Sequence, residues 1–202
     1  MSRTFLIALC LGLVAICGGH ARANLVVDGD FETGTPGSPP PAPWVSNDGV
    51  VIDNVNPHSG SQDAAMGNSL SMPALPGTLS QMLPTVAGQD YVLDFWLLDE
   101  AANIADTFTA SLGTFSLPIT GDMAPGVYTE FTATVSSADV GANATLSFSA
   151  TNLTAAWNLD DVSVTAAAAA VPEPAGGALL GTALILWLGL SMPGRLRPHR
   201  PN

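Results

Sequence analysis

Apolar and polar residues alternate with a period of two through residues 24–165, and turn-forming residues recur every eight to twelve positions. This period is typical of β-strands with one buried face, whereas helices repeat every 3.6 residues. Residues 91–97 are apolar on both faces except at Asp94, which predicts a strand in the middle of its sheet. Further strands are predicted at residues 128–135, 144–150 and 157–164. The pattern therefore predicts an all-β domain with few helices.

The beginning of this domain is predicted to form a first strand, followed by a proline-rich loop. Leu25, Val27 and Phe31 are expected to share one face of a first strand, with the acidic side chains of the segment on the other face. Residues 35–43 and 72–77 are rich in proline and are predicted to be loops, because proline cannot donate to a strand ladder.

The end of the domain predicts a β-bulge. Leu159 and Val162 are three positions apart, so both can point into the core only if the chain contains an extra residue between them. The bulge is expected at Asp160 and Asp161, and it would direct both carboxylates outward.

The charge distribution excludes several classes of function. The chain has 17 acidic and 5 basic residues and a net charge of −12. Residues 24–170 contain 16 of the acids and no lysine or arginine, so this part alone carries a charge of −16. A domain without cations cannot neutralise phosphates or supply a lysine nucleophile, which excludes nucleic-acid binding and much of catalysis. Both cysteines, Cys10 and Cys17, precede this domain.

The N-terminus has the features of a secretory signal peptide over residues 1–23. Arg3 is followed by an apolar stretch at residues 5–16, which is too short to span a membrane, and then by Ala-Arg-Ala. Cleavage is predicted after Ala23. The alternative of a lipoprotein modified at Cys17 is disfavoured, because Ile16 is large where such signals carry a small residue.

The C-terminus predicts a transmembrane helix over residues 174–192, since residues 175–192 contain no charge. It follows an alanine linker at residues 166–170 and precedes a basic tail at residues 193–202, which would stay in the cytoplasm. A buried core helix is the alternative reading.

Three features of the tail occur in a recognisable order. The residues are Val171, Pro172, Glu173 and Pro174, then the apolar helix, then Arg195, Arg197 and Arg200. Together, residues 171–202 resemble the PEP-CTERM sorting signal of exopolysaccharide-producing Gram-negative bacteria. The resemblance implies that an exosortase in the inner membrane recognises the tail and cuts near Pro-Glu-Pro. The chain would then be an inner-membrane-anchored precursor with a cytoplasmic C-terminus, destined for the cell surface or the extracellular matrix.

The middle of the chain also resembles a known family. Residues 24–32, 58–61, 91–97 and 157–164, in that order, are similar to the galactose-binding-like jelly rolls of carbohydrate-binding modules. The resemblance implies an antiparallel jelly-roll β-sandwich over residues 24–165 that contacts carbohydrate.

In these jelly rolls a structural calcium ion joins the first and last strands. Glu32 and Asp160 match the positions of its acidic ligands, with Asp30 and Asp161 as additional ligands and carbonyl groups from the loop that contains His58. The alternative is that these acids only solvate a highly charged surface.

Tryptophan side chains that stack on sugar rings would mark a lectin-like site. Trp44, Trp96 and Trp157 are candidates, and stacking is assigned to Trp96 and Trp157. An aromatic residue in a central strand can equally belong to the core. Paired carboxylates also suggest glycoside hydrolysis, but no acid is singled out as the protonated one, and the only histidine in residues 24–170 is His58. The sequence therefore predicts a non-catalytic domain that contacts polysaccharide, with a purely structural or adhesive matrix protein and a polysaccharide hydrolase as alternatives.

Overall fold

The computed structural model describes residues 22–67, 76–101, 103–152 and 154–168. The predicted sorting tail, and all of the predicted signal peptide except Arg22 and Ala23, lie outside this part. The described residues form ten strands and no helix, and therefore contain no helix able to cross a membrane. The strands are β1 (Val45–Ser46), β2 (Val50–Asp53), β3 (Asp63–Met66), β4 (Gly77–Met82), β5 (Tyr91–Asp99), β6 (Thr107–Leu112), β7 (Phe115–Thr120), β8 (Thr129–Val135), β9 (Thr145–Thr151) and β10 (Trp157–Ala166).

The strands form two five-stranded sheets. Sheet I has the order β1-β4-β9-β6-β7, and sheet II has the order β2-β3-β10-β5-β8. Every pair of neighbouring strands is antiparallel. Apart from the consecutive pairs β2–β3 and β6–β7, neighbouring strands are not consecutive in sequence, and the chain crosses repeatedly between the sheets, as in a jelly roll. The prediction of an all-β sandwich is confirmed.

The core lies between the inner faces of the two sheets. Phe148 of β9 is fully buried, and its ring meets Phe95 of β5 at 5.5 Å between centroids and Phe108 of β6 at 5.8 Å. Full burial of such a side chain stabilises the fold by about 1.5–3 kcal/mol. Strand β5 lies between β10 and β8, which confirms its predicted central position.

The predicted bulge in β10 is confirmed. Pairing of β10 with β5 shifts register between Asp160 and Ser163, and Asp161 has a φ of 50°. Leu159 and Val162 are both buried as a result. The extra residue thus reconciles the spacing of the apolar residues with a single core face.

The first segment of the domain differs from its prediction. Residues 24–30 form no strand, Val26 is buried, and Val27 is 56% exposed. Asp28 and Phe31 have φ values of 55° and 54°, in the left-handed region. The expected shared face of Leu25, Val27 and Phe31 is therefore wrong, because left-handed residues interrupt the alternation of a strand.

Side chains hold this irregular segment between the sheets. Asn24 Oδ1 accepts hydrogen bonds from the N–H groups of Val26 and Val164, at 3.0 and 2.9 Å. The buried Gln81 of β4 binds both the N–H and the C=O group of Val27. The segment is thereby attached to one strand of each sheet. Residues 35–43 form a loop, as predicted, whereas most of residues 72–77 lie outside the described residues.

Candidate functional site

The outer face of sheet II is acidic. Asp53 of β2 lies opposite Asp63 of β3, and Trp96 of β5 lies between Asp160 of β10 and Glu130 of β8. Four carboxylates and one indole therefore follow one another across the five strands. We call this surface the acidic face. It is partly covered by the β2–β3 loop, residues 54–62.

Asp160 holds the β2–β3 loop against the sheet. Its carboxylate is fully buried, and Oδ2 accepts hydrogen bonds from the N–H groups of His58 and Ser59, at 2.9 and 3.0 Å. Oδ1 accepts a bond from the N–H group of Asp161. Burial raises the pKa of Asp160 to about 6, although these donors act in the opposite direction. Both oxygens of this predicted calcium ligand are thus engaged with backbone donors.

Glu32 holds the other end of the same loop. Its Oε1 accepts hydrogen bonds from the N–H groups of Ser61 and Gln62, at 2.6 and 2.8 Å. Gly60 has a φ of 60° and lies directly against this carboxylate, where a Cβ atom would clash. Glycine is therefore needed both for the turn and for the close approach.

His58 covers the indole of Trp96. The two rings are stacked with centroids 3.9 Å apart, and His58 also meets the edge of Tyr128 at 5.0 Å. Nδ1 of His58 lies 2.7 Å from Asp161 Oδ2, and the Ser59 hydroxyl donates to Asp161 Oδ1. One face of the Trp96 ring is consequently occupied by a side chain of the protein itself.

The four predicted calcium ligands separate into two groups. Glu32 and Asp160 bind the β2–β3 loop, whereas Asp30 and Asp161 line a cleft of about 330 Å³ between the first segment and β10, together with Asp28. Asp161 belongs to both places, because its carboxylate also contacts His58 and Ser59 of the loop. In the part of the chain that the structure describes, no three His, Cys, Asp or Glu side chains are grouped so that they could hold a metal ion. Calcium binding by Glu32 and Asp160 stays a prediction.

The two predicted sugar-stacking residues lie on opposite faces of sheet II. Trp96 points outward and is half-buried, and stacking of a sugar on it stays a prediction. Trp157 points inward, is 0% exposed and donates its indole N–H to Thr151 O. The expectation for Trp157 is wrong, because a ring in the core cannot reach a ligand.

The outer face of sheet I has a different chemistry, which the sequence analysis missed. None of its five strands contains a charged residue. Outward positions of the four longer strands are almost all serine or threonine, and we call this surface the hydroxyl face. Three cross-strand rows are Thr78–Ser149–Thr109–Pro118, Ser80–Ser147–Ser111–Ser116 and Thr151–Thr107–Thr120.

The hydroxyl face is open to solvent. All residues of these three rows are exposed or partly exposed. Neighbouring strands are about 4.8 Å apart, and outward residues of one strand are about 6.7 Å apart, so the hydroxyl groups form a regular two-dimensional array. Alternating serine and threonine in residues 107–111 and 145–151 is the sequence signal of this face, but the strand order that joins these strands is not visible in the sequence.

The chain matches no protein-family model and no curated protein. Among solved structures, it is similar to TmCBM61 in complex with β-1,4-galactotriose, with a TM-score of 0.56 and 14% identity over 72% of this chain and 99% of that chain. A family 16 carbohydrate-binding module matches with a TM-score of 0.52 and 14% identity, over 70% and 99% of the two chains. The arabinose-bound α-L-arabinofuranosidase MgGH51 has a TM-score of 0.56 and 12% identity, over 74% of this chain and 27% of that chain.

These similarities establish the fold. Two of the three structures are carbohydrate-binding modules matched over nearly their whole length, and the third is a glycoside hydrolase matched over about a quarter of its length. The resemblance of the middle of the chain to carbohydrate-binding jelly rolls is thus confirmed for the fold.

Proposed function

We propose that the β-sandwich contacts carbohydrate without catalysis and that the hydroxyl face is its contact surface. The observation that carries this proposal is an open, uncharged array of hydroxyl groups on a fold shared with solved carbohydrate-binding modules. Serine and threonine hydroxyls both donate and accept hydrogen bonds, as sugar hydroxyls do.

The chemistry of the face favours a neutral polymer. Replacing a hydrogen bond to water by a hydrogen bond to a sugar contributes only about 0.5–1.5 kcal/mol. Measurable affinity therefore requires many contacts along a polysaccharide chain. Residues 24–170 carry a charge of −16, which repels acidic polysaccharides at low ionic strength. A neutral exopolysaccharide or another neutral glycan is the partner that fits both facts.

One observation favours a hydrolase as the second candidate. Asp63 and Asp160 are buried carboxyl groups with pKa values raised to about 6, and glycosidases keep one acid in such a state. Against this candidate, both groups are fully buried and Asp160 lies under the β2–β3 loop. A purely structural matrix protein is the remaining alternative.

Binding and turnover distinguish these candidates. Residues 24–168 include all ten strands and the buried core, so the sandwich is one folding unit. We expect this domain to be retained on neutral polysaccharides and to release no reducing sugar from them. Release of reducing sugar that is lost in the Asp160→Asn variant would establish the hydrolase. If the domain binds no polysaccharide, a purely structural matrix protein is the remaining alternative.

We further propose that the chain is exported and sorted by an exosortase to the cell surface or extracellular matrix. Residues 1–23 and 171–202 support this proposal by their sequence. Cleavage after Ala23 would leave Asn24 as the first residue, and its side chain is an anchor to β10. The processed chain would therefore keep a complete sandwich.

The tail can be tested in an exosortase-bearing host. We expect replacement of Pro172, Glu173 and Pro174 by alanine to leave a chain that has lost residues 1–23 but keeps its uncleaved tail in the inner membrane. Unchanged mature mass and location would refute sorting, and N-terminal sequencing of the mature protein that begins at Met1 would refute export.

A further inference from the structure

Four strands form the edges of the two sheets, and three of them are protected against pairing with another chain. β1 has only two residues, and β7 contains Pro118, which has no N–H group to donate. The outer edge of β2 is occupied by the proline-rich loop. Ile52 O accepts a hydrogen bond from Gly37 N–H at 2.9 Å, and Ile52 N–H donates to Ser38 O at 2.8 Å.

The fourth edge strand, β8, has none of these features. It has seven residues, contains no proline and carries a single charge, at Glu130. In the part of the chain that the structure describes, the backbone of β8 is hydrogen-bonded to β5 alone. Alternate N–H and C=O groups along about 24 Å of strand therefore face away from the sheet, where a further strand can pair with them.

Apolar side chains lie beside this open edge. Phe131 of β8 is only partly buried and stacks on Phe95 of β5 at 5.5 Å between centroids. Phe95 also meets Phe108 of β6, so the strands next to β8 and β7 face each other in the core. Phe115 and Leu117 of β7 are likewise partly buried. The core is thus incompletely covered on the side of the sandwich that β7 and β8 form, and a second molecule there would remove apolar surface from water.

We propose that β8 pairs antiparallel with β8 of a second copy of this chain and joins two copies of sheet II into one continuous sheet. Among the strands that the structure describes, β8 is the one long open edge, so it is also the edge of another copy that is available to it. A two-fold axis through Thr132 would pair all seven residues and keep each side chain on the same face as its partner. Thr132 would then face itself, Phe131 would face Ala133, and Glu130 would face Thr134.

The charges of β8 allow this pairing. Each Glu130 would lie opposite a neutral threonine, and the two Glu130 residues would be about 14 Å apart along the strands, so no like charges are directly opposed. The large ring of Phe131 would lie beside the small side chain of Ala133. Local complementarity therefore favours a second copy of the same strand as the partner.

The net charge of the domain determines how this pairing depends on salt. Residues 24–170 carry a charge of −16, which repels a second copy at low ionic strength. Pairing should therefore be strengthened by salt, whereas binding of a basic peptide segment to the same edge would be weakened. One strand of each copy forms a small interface, so we expect a weak dimer. β8 belongs to sheet II, so pairing leaves the hydroxyl face of sheet I open, and the inference is independent of carbohydrate binding.

The first test measures the molar mass of residues 24–168 by sedimentation equilibrium at increasing concentrations of protein and of sodium chloride. We expect a monomer–dimer equilibrium whose dimer fraction increases with both. Thr132→Glu would place two carboxylates opposite each other and should leave only monomer. Thr120→Glu in β7 is the matched control, because Thr120 is also exposed on an edge strand and its hydroxyl also donates to an aspartate. This control should dimerise like the unsubstituted domain.

The second test locates the two-fold axis and does not depend on the folding of Thr132→Glu. Both cysteines of the chain precede residue 24, so residues 24–168 contain none. Directly opposed residues of an antiparallel pair have Cα atoms about 4.5–5.5 Å apart, which is within the range of a disulfide bond. Under mild oxidation in high salt, Thr132→Cys should form a disulfide-linked dimer and Thr120→Cys should remain monomeric.

Four results would each overturn the proposal. They are a domain that stays monomeric at every salt concentration, association that weakens with salt, dimerisation of Thr132→Glu equal to that of the unsubstituted domain, and equal cross-linking at positions 120 and 132.

Discussion

The two outer faces of the sandwich arise from the same alternation of inward and outward residues but have opposite chemistry. The hydroxyl face of sheet I has no charged residue in its strands and is open to solvent. The acidic face of sheet II carries Asp63 and Asp160, both fully buried, and the β2–β3 loop lies against it. If the proposed function is correct, one fold separates a surface for carbohydrate contact from a surface for stability.

The difference has an energetic cause. An exposed hydroxyl group keeps its hydrogen bonds to water, so it contributes little to folding and stays available to a ligand. A buried carboxylate loses its hydration and needs replacement donors, which the backbone of the β2–β3 loop provides to Asp160. Stability should therefore respond to substitutions on the acidic face, and binding to substitutions on the hydroxyl face.

The largest effect is expected for Asp160→Ala. The N–H groups of His58, Ser59 and Asp161 lose their common acceptor, which should lower the free energy of unfolding by about 3 kcal/mol. Urea denaturation of residues 24–168 measures this change. A loss below about 0.5 kcal/mol would show that the loop does not depend on the carboxylate.

The second effect is a dependence on pH. Asp63 and Asp160 have folded-state pKa values of about 6, above the ordinary value of 3.8, so the folded state binds protons more tightly than the unfolded state. The free energy of unfolding should therefore increase by about 2 kcal/mol as pH falls from 7.5 to 5. This gain should be lost as pH rises through 6.

Urea midpoints at the two pH values test this in the presence of a chelator, because calcium at the predicted site of Glu32 and Asp160 would offset the charge of Asp160. The matched variant Asp63→Asn should show a smaller rise on acidification. Stability that declines from pH 7.5 to 5 in the unsubstituted domain would contradict the account.

A smaller effect is expected for His58→Ala. The variant removes the ring stacked on Trp96 and should cost about 1 kcal/mol. It should also increase quenching of tryptophan fluorescence by acrylamide, because Trp44 and Trp157, the other tryptophans of residues 24–168, are buried. Unchanged quenching would show that His58 does not shield Trp96.

The smallest effect is expected for Ser149→Ala on the hydroxyl face. Ser149 is partly exposed and lies between Thr78 and Thr109, so its removal should change the free energy of unfolding by less than about 0.5 kcal/mol. Comparison with Asp160→Ala in the same urea experiment measures the contrast between the faces directly. Equal losses of the free energy of unfolding in the two variants would contradict the expected contrast between the faces.

The parts of the fold that depend on local alternation could be predicted from the sequence. The spacing of Leu159 and Val162 indicated the bulge in β10, and two apolar faces indicated the central position of β5. The first segment could not be predicted in the same way, because the left-handed residues Asp28 and Phe31 and the side chain of Asn24 determine its path.

The candidate sites depend on contacts between distant strands. Ser149 and Thr109 are neighbours only because β9 pairs with β6, and Asp63 meets Asn158 only because β3 pairs with β10. Alternation showed which residues share a face of one strand, but not which strands lie side by side. The sequence therefore indicated acidic residues near both ends of the domain without revealing the partners of each one.

The central claim is that carbohydrate contacts the hydroxyl face, and binding of two matched variants to a neutral polysaccharide tests it most directly. Ser149→Glu places a carboxylate in the middle of the hydroxyl face, and Thr134→Glu makes the same change at an outward, exposed position of β8 on the acidic face. The account predicts that Ser149→Glu abolishes retention of residues 24–168 and that Thr134→Glu preserves it. Retention that persists in Ser149→Glu, or that is lost in Thr134→Glu alone, would contradict the account.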